Sequence, residues 1–310
     1  MTSIAVLFVH GVEVPDPHYA TTAIRTLRSE ITRIGGRNAL KQLHVKEAYW
    51  KPAVSAGERN LLAKEFRGKT GNAVVSSLNR MVHEVNVGRT VALLPLALSG
   101  LFRSALGIPE LHWPTMRWAV TTFVGDVIAY QQGQPIYHDV HARIQDALIE
   151  LEERAGPDAP LCVIAHSLGT VVASDHFYDL ARLGTGRTTQ SPLVRGETLA
   201  FFYTLGSPIA LWTVRHPELD RPIRVPAIQI TDRALVTAAE WVNFYDPDDI
   251  VAFPLKMLSP EYSIAVKEDL RVAVGPPILG ASPASHVAYW NDPTVMRRIA
   301  HRLVPLLSTN

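Results

Sequence analysis

Short apolar runs recur along the chain, and each is followed by a turn and then by a stretch with helical periodicity. The run Ile4–Val9 is apolar at every position, which is typical of a strand that helices cover on both faces of a parallel sheet. Similar runs predict strands at 45–50, 161–165, 201–205 and 241–245. Apolar spacing predicts helices at 20–34, 136–154, 171–180 and 293–304, and Gly35 with Gly36 ends the first of them.

Strands that alternate with helices predict an α/β fold with a mostly parallel sheet and helices on both faces. Ligands of such sheets bind beyond the carboxyl ends of the strands, so the residues that follow each strand are the first candidates for chemistry. The segment at about 52–125 interrupts the alternation, since it is long, rich in apolar residues and contains Pro95, Pro109 and Pro114. We therefore expect one domain, residues 1–310, with a helical cap inserted at about 52–125.

The composition narrows the classes of protein to consider. Hydrophobic residues make up 47% of the 310 residues, which excludes a disordered chain, and the net charge of 30 − 29 = +1 argues against a nucleic-acid partner. The single Cys162 excludes an intramolecular disulfide and a cysteine-based zinc site. The first residues resemble a core strand rather than a signal peptide, and the most apolar stretch, residues 91–102, is too short to span a bilayer. We therefore expect a cytoplasmic protein.

The strongest chemical signal is the sequence AHSLG at 165–169, which follows one predicted strand and precedes a predicted helix. A serine at a sharp strand-to-helix turn, with small residues two positions before and after it, is typical of a nucleophile elbow. Ala165 and Gly169 supply the small residues, and Ser167 is the predicted nucleophile. The alternative is an ordinary strand–turn–helix in which Ser167 caps the helix.

A serine nucleophile needs a histidine base and an acid that orients it, and in this architecture the chain order is serine, acid, histidine. Only two histidines lie beyond residue 220. His301 falls inside the predicted terminal helix, where a solvated helix face explains it. His286 follows the Pro- and Gly-rich loop at 275–283 and is the predicted base, against the alternative of a surface-loop histidine.

The acid should follow a strand between the serine and the histidine. Asp246, Asp248 and Asp249 come directly after the strand predicted at 241–245. Asp249 is our first choice because it precedes apolar residues, and Asp246 is the second, since aspartate before proline favours a turn. The sequence leaves all three open.

The predicted site also needs two donors for an oxyanion and a surface for the substrate. We expect the backbone N–H groups of Leu168 and Val12 to be these donors, because Gly11 lets the loop after the first strand turn inward. Further substrate contacts are predicted from the loops and from the cap, where core packing is the alternative: His10, Gly11, His166, Trp113 and Trp118. His138, Asp139 and His141 are interpreted as a solvated helix face, so no metal is predicted.

Five short sequences, taken together, resemble the α/β-hydrolase superfamily in its lipase and serine-esterase branch. They are FVHG at 8–11, AHSLG at 165–169, TLGSP at 204–208, DPDDIVAFP at 246–254 and SHVAYW at 285–290. The acid loop is also similar to that of intracellular phospholipases of the DDHD type. The resemblance implies Asp249 as the acid and His286 as the base. It implies esterase, lipase, thioesterase, amidase or acyltransferase chemistry without a cofactor, and it does not fix the substrate.

The resulting prediction is a serine hydrolase that cleaves a small-molecule or lipid ester through an acyl-enzyme on Ser167. One alternative is a catalytically inactive α/β-hydrolase-fold binding module. Another is an acyltransferase or a thioesterase that uses the same serine. The apolar stretch at 91–102 adds the hypothesis of a transient contact between the cap and a membrane surface. The sequence predicts no oligomeric state.

Overall fold

The structure is a computed structural model, and it describes residues 3–12, 14, 16–53, 130, 134–183, 189–213, 222–249, 251–275 and 283–307. The chain divides into two units, residues 1–50 with 139–310, and residues 51–138. Apart from residues 52 and 53, the predicted cap lies outside the described residues, and so do Trp113, Trp118 and the apolar stretch at 91–102.

The described residues of the first unit form one six-stranded sheet in the spatial order β2-β1-β3-β4-β5-β6, and every pairing in it is parallel. The strands are β1 (Ile4–Val9), β2 (Leu43–Ala48), β3 (Leu161–His166), β4 (Leu199–Leu205), β5 (Glu240–Tyr245) and β6 (Glu268–Arg271). Helices flank this sheet, so the predicted α/β class is confirmed.

Seven α-helices lie within the described residues. In chain order they are α1 (Thr21–Lys41), α2 (Gln134–Ala155), α3 (Leu168–Leu183), α4 (Ile209–Thr213), α5 (Arg233–Ala238), α6 (Pro260–Ala265) and α7 (Pro293–Leu307), with 3-10 turns at Pro283–Val287 and Tyr289–Asn291. Helices α1 and α7 pack together against the core, and His301 on α7 is exposed as predicted. Among these helices none has both the length and the apolar character needed to cross a bilayer.

The burial of the strands explains why most of them were readable from sequence. Strands β1, β3 and β4 are buried at every position, so both of their faces need apolar residues. Cys162 in β3 is fully buried and packs as a small hydrophobe. Strand β6 was not predicted, because it is four residues long, lies at the sheet edge and contains one apolar residue, Leu270.

Two predicted boundaries are wrong for a local reason. Helix α1 does not end at Gly35 with Gly36 but continues to Lys41, with a kink at Gly36, where φ is 77° and ψ is −179°. Glycine adopts this conformation readily, so the chain bends there without ending the helix. Strand β2 lies two residues earlier than predicted, which leaves Trp50 in the loop that follows it.

Candidate active site

Ser167 occupies the turn between β3 and α3 in a left-handed backbone conformation. Its φ is 54°, and no other non-glycine residue in the described part of the chain has a positive φ. A helix N-cap residue has an extended backbone, so this geometry differs from the helix-capping alternative. The conformation costs about 1 kcal/mol or more for a residue with a Cβ. A backbone hydrogen bond of 3.0 Å from Ser167 N–H to the Leu205 carbonyl helps to hold it.

Two glycines let the loop after β1 approach this turn closely. A Cβ on Gly169 would lie 2.2 Å from the carbonyl oxygen of His10, and a Cβ on Gly11 would lie 2.5 Å from Cβ of Ser167. Such distances are far shorter than van der Waals contact, so neither position has room for a side chain. The turn that contains Ser167 and the loop after β1 are therefore in direct contact.

The two predicted oxyanion donors belong to these touching segments. Leu168 is the first residue of α3, and the first N–H groups of a helix have no acceptor inside the helix. Val12 follows Gly11 directly and is half-buried. Their role as donors stays a prediction, and it is consistent with their placement beside Ser167.

The structure brings together three side chains that are distant along the chain. His286 Nε2 lies 2.7 Å from Ser167 Oγ, and His286 Nδ1 lies 2.8 Å from Asp249 Oδ2. The two hydrogen bonds join residues that are 119 and 37 positions apart. The His286 side chain retains 17% of its exposure, whereas the Asp249 side chain is fully buried.

Asp249 is held ionised by its hydrogen-bond partners. Its Oδ1 accepts from Val251 N–H at 3.1 Å, and its Oδ2 accepts from His286 Nδ1–H and from the Tyr289 hydroxyl at 3.0 Å. Burial alone would raise the pKa of this carboxyl, but the hydrogen bond and charge of His286, with the other two donors, lower the pKa below its ordinary value. A carboxylate at this position orients the imidazole and stabilises its protonated form.

The other two candidate acids shape the loop instead. Asp246 is buried, and its two carboxylate oxygens accept the N–H groups of Asp248 at 3.0 Å and Val274 at 2.7 Å. Asp248 is exposed. Of the three aspartates, Asp249 is the one that contacts His286.

One backbone donor fixes the direction of the hydrogen bonds that link Tyr289, Asp249, His286 and Ser167. Asp246 N–H donates to the Tyr289 hydroxyl oxygen at 2.8 Å, so the phenol hydrogen must point to Asp249. Because Asp249 is an ionised acceptor, His286 carries its hydrogen on Nδ1, and its Nε2 accepts from the Ser167 hydroxyl. The lone pair of His286 Nε2 therefore points to the Ser167 hydroxyl, which is the geometry that a general base requires.

His10 supports the loop after β1, and this favours a structural role over the predicted substrate contact. The side chain is fully buried, its Nδ1–H donates to the Gly11 carbonyl at 2.6 Å, and its Nε2 accepts from Trp50 N–H at 3.0 Å. The Trp50 ring stacks on the imidazole with centroids 4.5 Å apart, and its indole N–H donates to the His10 carbonyl at 2.9 Å. The sequence did not predict that Trp50 supports His10, because the strand predicted at 45–50 included Trp50 as its last residue.

His166 likewise holds a loop rather than facing a substrate. Its Nε2–H donates to the backbone carbonyl of His286 at 2.6 Å, and its ring lies against those of Tyr289 and Trp290. Burial, with the positive charge of His286 as a second cause, lowers the pKa of the His166 imidazole to about 3. His166 is therefore neutral at physiological pH, and its hydrogen bond anchors the segment that carries His286.

A short chain of hydroxyl groups ties the segment after β4 to the same turn. Thr170 Oγ1 donates to the Ser167 carbonyl at 2.8 Å, so the Ser207 hydroxyl donates to Thr170 Oγ1, also at 2.8 Å. Neighbouring Gly206 has a φ of 57°, and a Cβ there would lie 2.8 Å from the Tyr289 ring and 3.1 Å from Asp249 Oδ2. The sequence TLGSP at 204–208 therefore packs against both the Ser167 turn and Asp249.

Comparison of the sequence with protein-family models and with curated proteins found no match. The six-stranded parallel sheet with flanking helices is compatible with an α/β-hydrolase-like fold. Within the part of the chain that the structure describes, no three His, Cys, Asp or Glu side chains form a group that could hold a metal ion. The ring of His141 contacts that of His176, with centroids 5.1 Å apart, and His138 is exposed.

Proposed function

We propose that this chain is a serine hydrolase that cleaves carboxylic esters through an acyl-enzyme on Ser167. The observation that carries the proposal is the continuous hydrogen-bond chain from Ser167 Oγ through His286 to Asp249, at 2.7 and 2.8 Å. The left-handed backbone of Ser167 supports it further, because a strained non-glycine residue next to such a chain is typical of a nucleophile elbow.

The proposed first step forms the acyl-enzyme. His286 Nε2 takes the Ser167 proton while Oγ attacks the ester carbonyl carbon, and the carbonyl oxygen becomes an oxyanion that the N–H groups of Leu168 and Val12 stabilise. Asp249 stabilises the imidazolium that forms. The C–O bond to the alcohol then breaks, and His286 returns the proton to the leaving alcohol.

The proposed second step reverses these roles with water as the nucleophile. His286 removes a proton from water as its oxygen attacks the acyl carbon, and the bond between that carbon and Ser167 Oγ breaks. The proton passes through His286 to the serine, which restores the resting site and releases the carboxylic acid. Asp249 keeps its charge throughout, because its pKa lies below its ordinary value.

A substrate series tests this proposal. We would measure hydrolysis of p-nitrophenyl esters of increasing acyl length by the wild type, by Ser167→Ala and by Ser263→Ala, a control at an exposed serine on α6. The expected result is turnover by the wild type and the control, and loss of turnover in Ser167→Ala. Full activity in Ser167→Ala would overturn the proposal, and so would inactivity of the wild type on every ester, which would favour the binding module.

The same series separates the remaining chemical alternatives. An added primary alcohol competes with water for the acyl-enzyme, so product analysis measures how the acyl group is divided between acid and new ester. Mostly new ester would favour an acyltransferase. Much faster cleavage of acyl thioesters than of matched oxygen esters would favour a thioesterase. We expect mostly free acid, with oxygen esters as substrates.

A further inference from the structure

Tyr289 makes a contact with the acid that the proposed mechanism does not use. The side chain is fully buried, and its hydroxyl donates to Asp249 Oδ2 at 3.0 Å. His286 Nδ1 donates to the same oxygen at 2.8 Å. Two hydrogen-bond donors therefore share one carboxylate oxygen.

The phenol is fixed in this arrangement from two sides. Asp246 N–H donates to its oxygen at 2.8 Å, so the hydroxyl hydrogen can point only toward Asp249. The phenol ring lies so close to Gly206 that a Cβ there would be 2.8 Å from Cε2. The ring thus packs directly against Gly206, and the hydroxyl donates to the carboxylate.

We propose that Tyr289 is a positioning residue whose hydrogen bond to Asp249 limits how strongly the carboxylate holds the protonated imidazole of His286. The inference rests on the proposed function, since it concerns the base of that reaction. A donor on the carboxylate spreads its negative charge over two partners, which leaves less charge to stabilise the His286 imidazolium. The base is then free at lower pH than it would be without the phenol.

The titratable groups that face His286 and Asp249 come from three elements of the fold. His166 comes from β3, its ring centroid lies 4.9 Å from that of His286, and its pKa of about 3 keeps it neutral wherever the base titrates. Asp246 comes from the loop after β5 and directs its two oxygens to backbone N–H groups. Tyr289 comes from the 3-10 turn, and burial raises its pKa far above the ordinary value, so its hydroxyl keeps its hydrogen.

The test compares Tyr289→Phe with the same substitution at a buried tyrosine of the sheet. Tyr203 is also fully buried, and its hydroxyl donates to the carboxylate of Glu240 at 2.9 Å, away from Ser167 and His286. Tyr203→Phe therefore removes the same type of hydrogen bond and serves as the control. Two readouts are used: the pH profile of kcat/KM for p-nitrophenyl acetate, and an NMR titration of ¹⁵N-labelled histidines, with His286 assigned through His286→Gln.

In Tyr289→Phe we expect the pKa of His286, and the acidic limb of kcat/KM, to rise by about half a unit to one unit, which matches the net contribution of one typical hydrogen bond. Tyr203→Phe should leave both values unchanged. A purely structural phenol would give no rise, or a fall, because a loosened Asp249 would stabilise the imidazolium less. Either result would overturn the inference.

A second variant keeps the inference testable if Tyr289→Phe fails to fold. Site-specific replacement of Tyr289 by 3-fluorotyrosine retains the ring and makes the hydroxyl a stronger donor, so the pKa of His286 should fall instead of rise. An unchanged or raised value would contradict the inference. The NMR titration reports on His286 without turnover, so an inactive wild type would refute the proposed function while the shift still tests the role of Tyr289.

Discussion

Two buried carboxylates, Glu240 at the amino end of β5 and Asp249 in the loop after its carboxyl end, have different partners. At the amino end, Glu240 binds Arg298 through two hydrogen bonds of 2.8 and 3.2 Å, Arg302 Nε lies 3.4 Å away, and Tyr203 donates its hydroxyl. Arginine stays charged at every accessible pH, so this charge is permanently balanced. Such a cluster stabilises one arrangement of the fold.

Near the carboxyl end, Asp249 has partners of another kind. In the described part of the chain, its ion-pair partner is His286, whose imidazole accepts and returns a proton in the proposed mechanism, and its other side-chain donor is the hydroxyl of Tyr289. A buried carboxylate can therefore stabilise the folded state or assist a proton transfer. Which of the two it is suited to depends on whether its partner can release a proton.

The largest expected effect is on activity, and it follows from replacing Ser167. Ser167→Ala should lower kcat/KM for ester hydrolysis by roughly 10⁶-fold, because the nucleophile and its proton are removed together. Its free energy of unfolding should change by less than about 1 kcal/mol, since only one hydroxyl is lost. Steady-state kinetics and urea unfolding measure the two quantities. A small loss of activity would mean that another group attacks the ester.

The second prediction compares the effects of replacing each of the two carboxylates by its neutral amide. Asp249→Asn should lower kcat by about 10⁴-fold, because a neutral amide favours the wrong tautomer of His286. Glu240→Gln should leave kcat within about threefold of the wild type but cost about 3 kcal/mol of stability, since Arg298, Arg302 and Lys267 lose the buried carboxylate with which they pair. If both variants lost activity equally, or both lost only stability, the contrast between the ends of β5 would be wrong.

A third, smaller effect concerns the contact between the loop after β1 and the nucleophile. Gly11→Ala would place a Cβ 2.5 Å from Cβ of Ser167, so the turn must shift, and we expect kcat to fall about 100-fold, the cost of a misplacement near 1 Å. The control is Gly36→Ala in α1, where φ is 77° and no heavy atom lies within 4 Å of the added Cβ. It should cost about 1 kcal/mol of stability and leave kcat unchanged. A Gly11→Ala enzyme with normal kcat would show that the loop is not part of the site.

Sequence patterns predicted the centre of the molecule well, and the reason is physical. A strand that is buried on both faces has to be apolar throughout, so β1 and β3 are visible as continuous runs. A serine between small residues after such a run predicts a turn, and the structure places Ser167 in one. The edge strand β6 lacks this requirement, because its residues are half-buried or exposed, and it was missed.

The supporting residues could not be predicted, because their roles depend on contacts between distant segments. Tyrosine is also common in hydrophobic cores, and the sequence around Tyr289 does not indicate that its hydroxyl contacts Asp249. His10 and His166 stand next to the predicted reactive groups, which suggested substrate contacts. Their ring nitrogens are instead used by backbone groups, which only the folded chain brings within reach.

The last expected effect concerns stability alone, and it is a dependence of the free energy of unfolding on pH. Burial lowers the pKa of His176, as of His166, from 6.5 to about 3, so the unfolded chain binds a proton that the folded chain does not between those values. Each group therefore contributes stability that is complete above pH 6.5 and is lost as the pH falls toward 3, by roughly 1.4 kcal/mol per pH unit. The cluster of Glu240 with two arginines supplies no such dependence through its cations.

His176→Leu tests this dependence away from the reactive groups. His176 Nε2 is buried and has no hydrogen-bond partner in the described part of the chain, so leucine should be tolerated. Urea unfolding between pH 7 and pH 4.5 should show a slope that is lower by about one proton than in the wild type. His301→Gln, at an exposed position, should leave the slope unchanged. Equal slopes for His176→Leu and the wild type would contradict the expected effect of burial.

The most direct measurement of the central claim is covalent labelling by a fluorophosphonate, followed by mass spectrometry of the intact chain and its peptides. We expect one phosphonyl group per chain, attached to Ser167, with labelling abolished in Ser167→Ala, strongly slowed in His286→Gln and unaffected in Glu240→Gln. Labelling at another residue, or at Ser167 with the same rate after the loss of His286, would contradict the claim that His286 and Asp249 activate this serine.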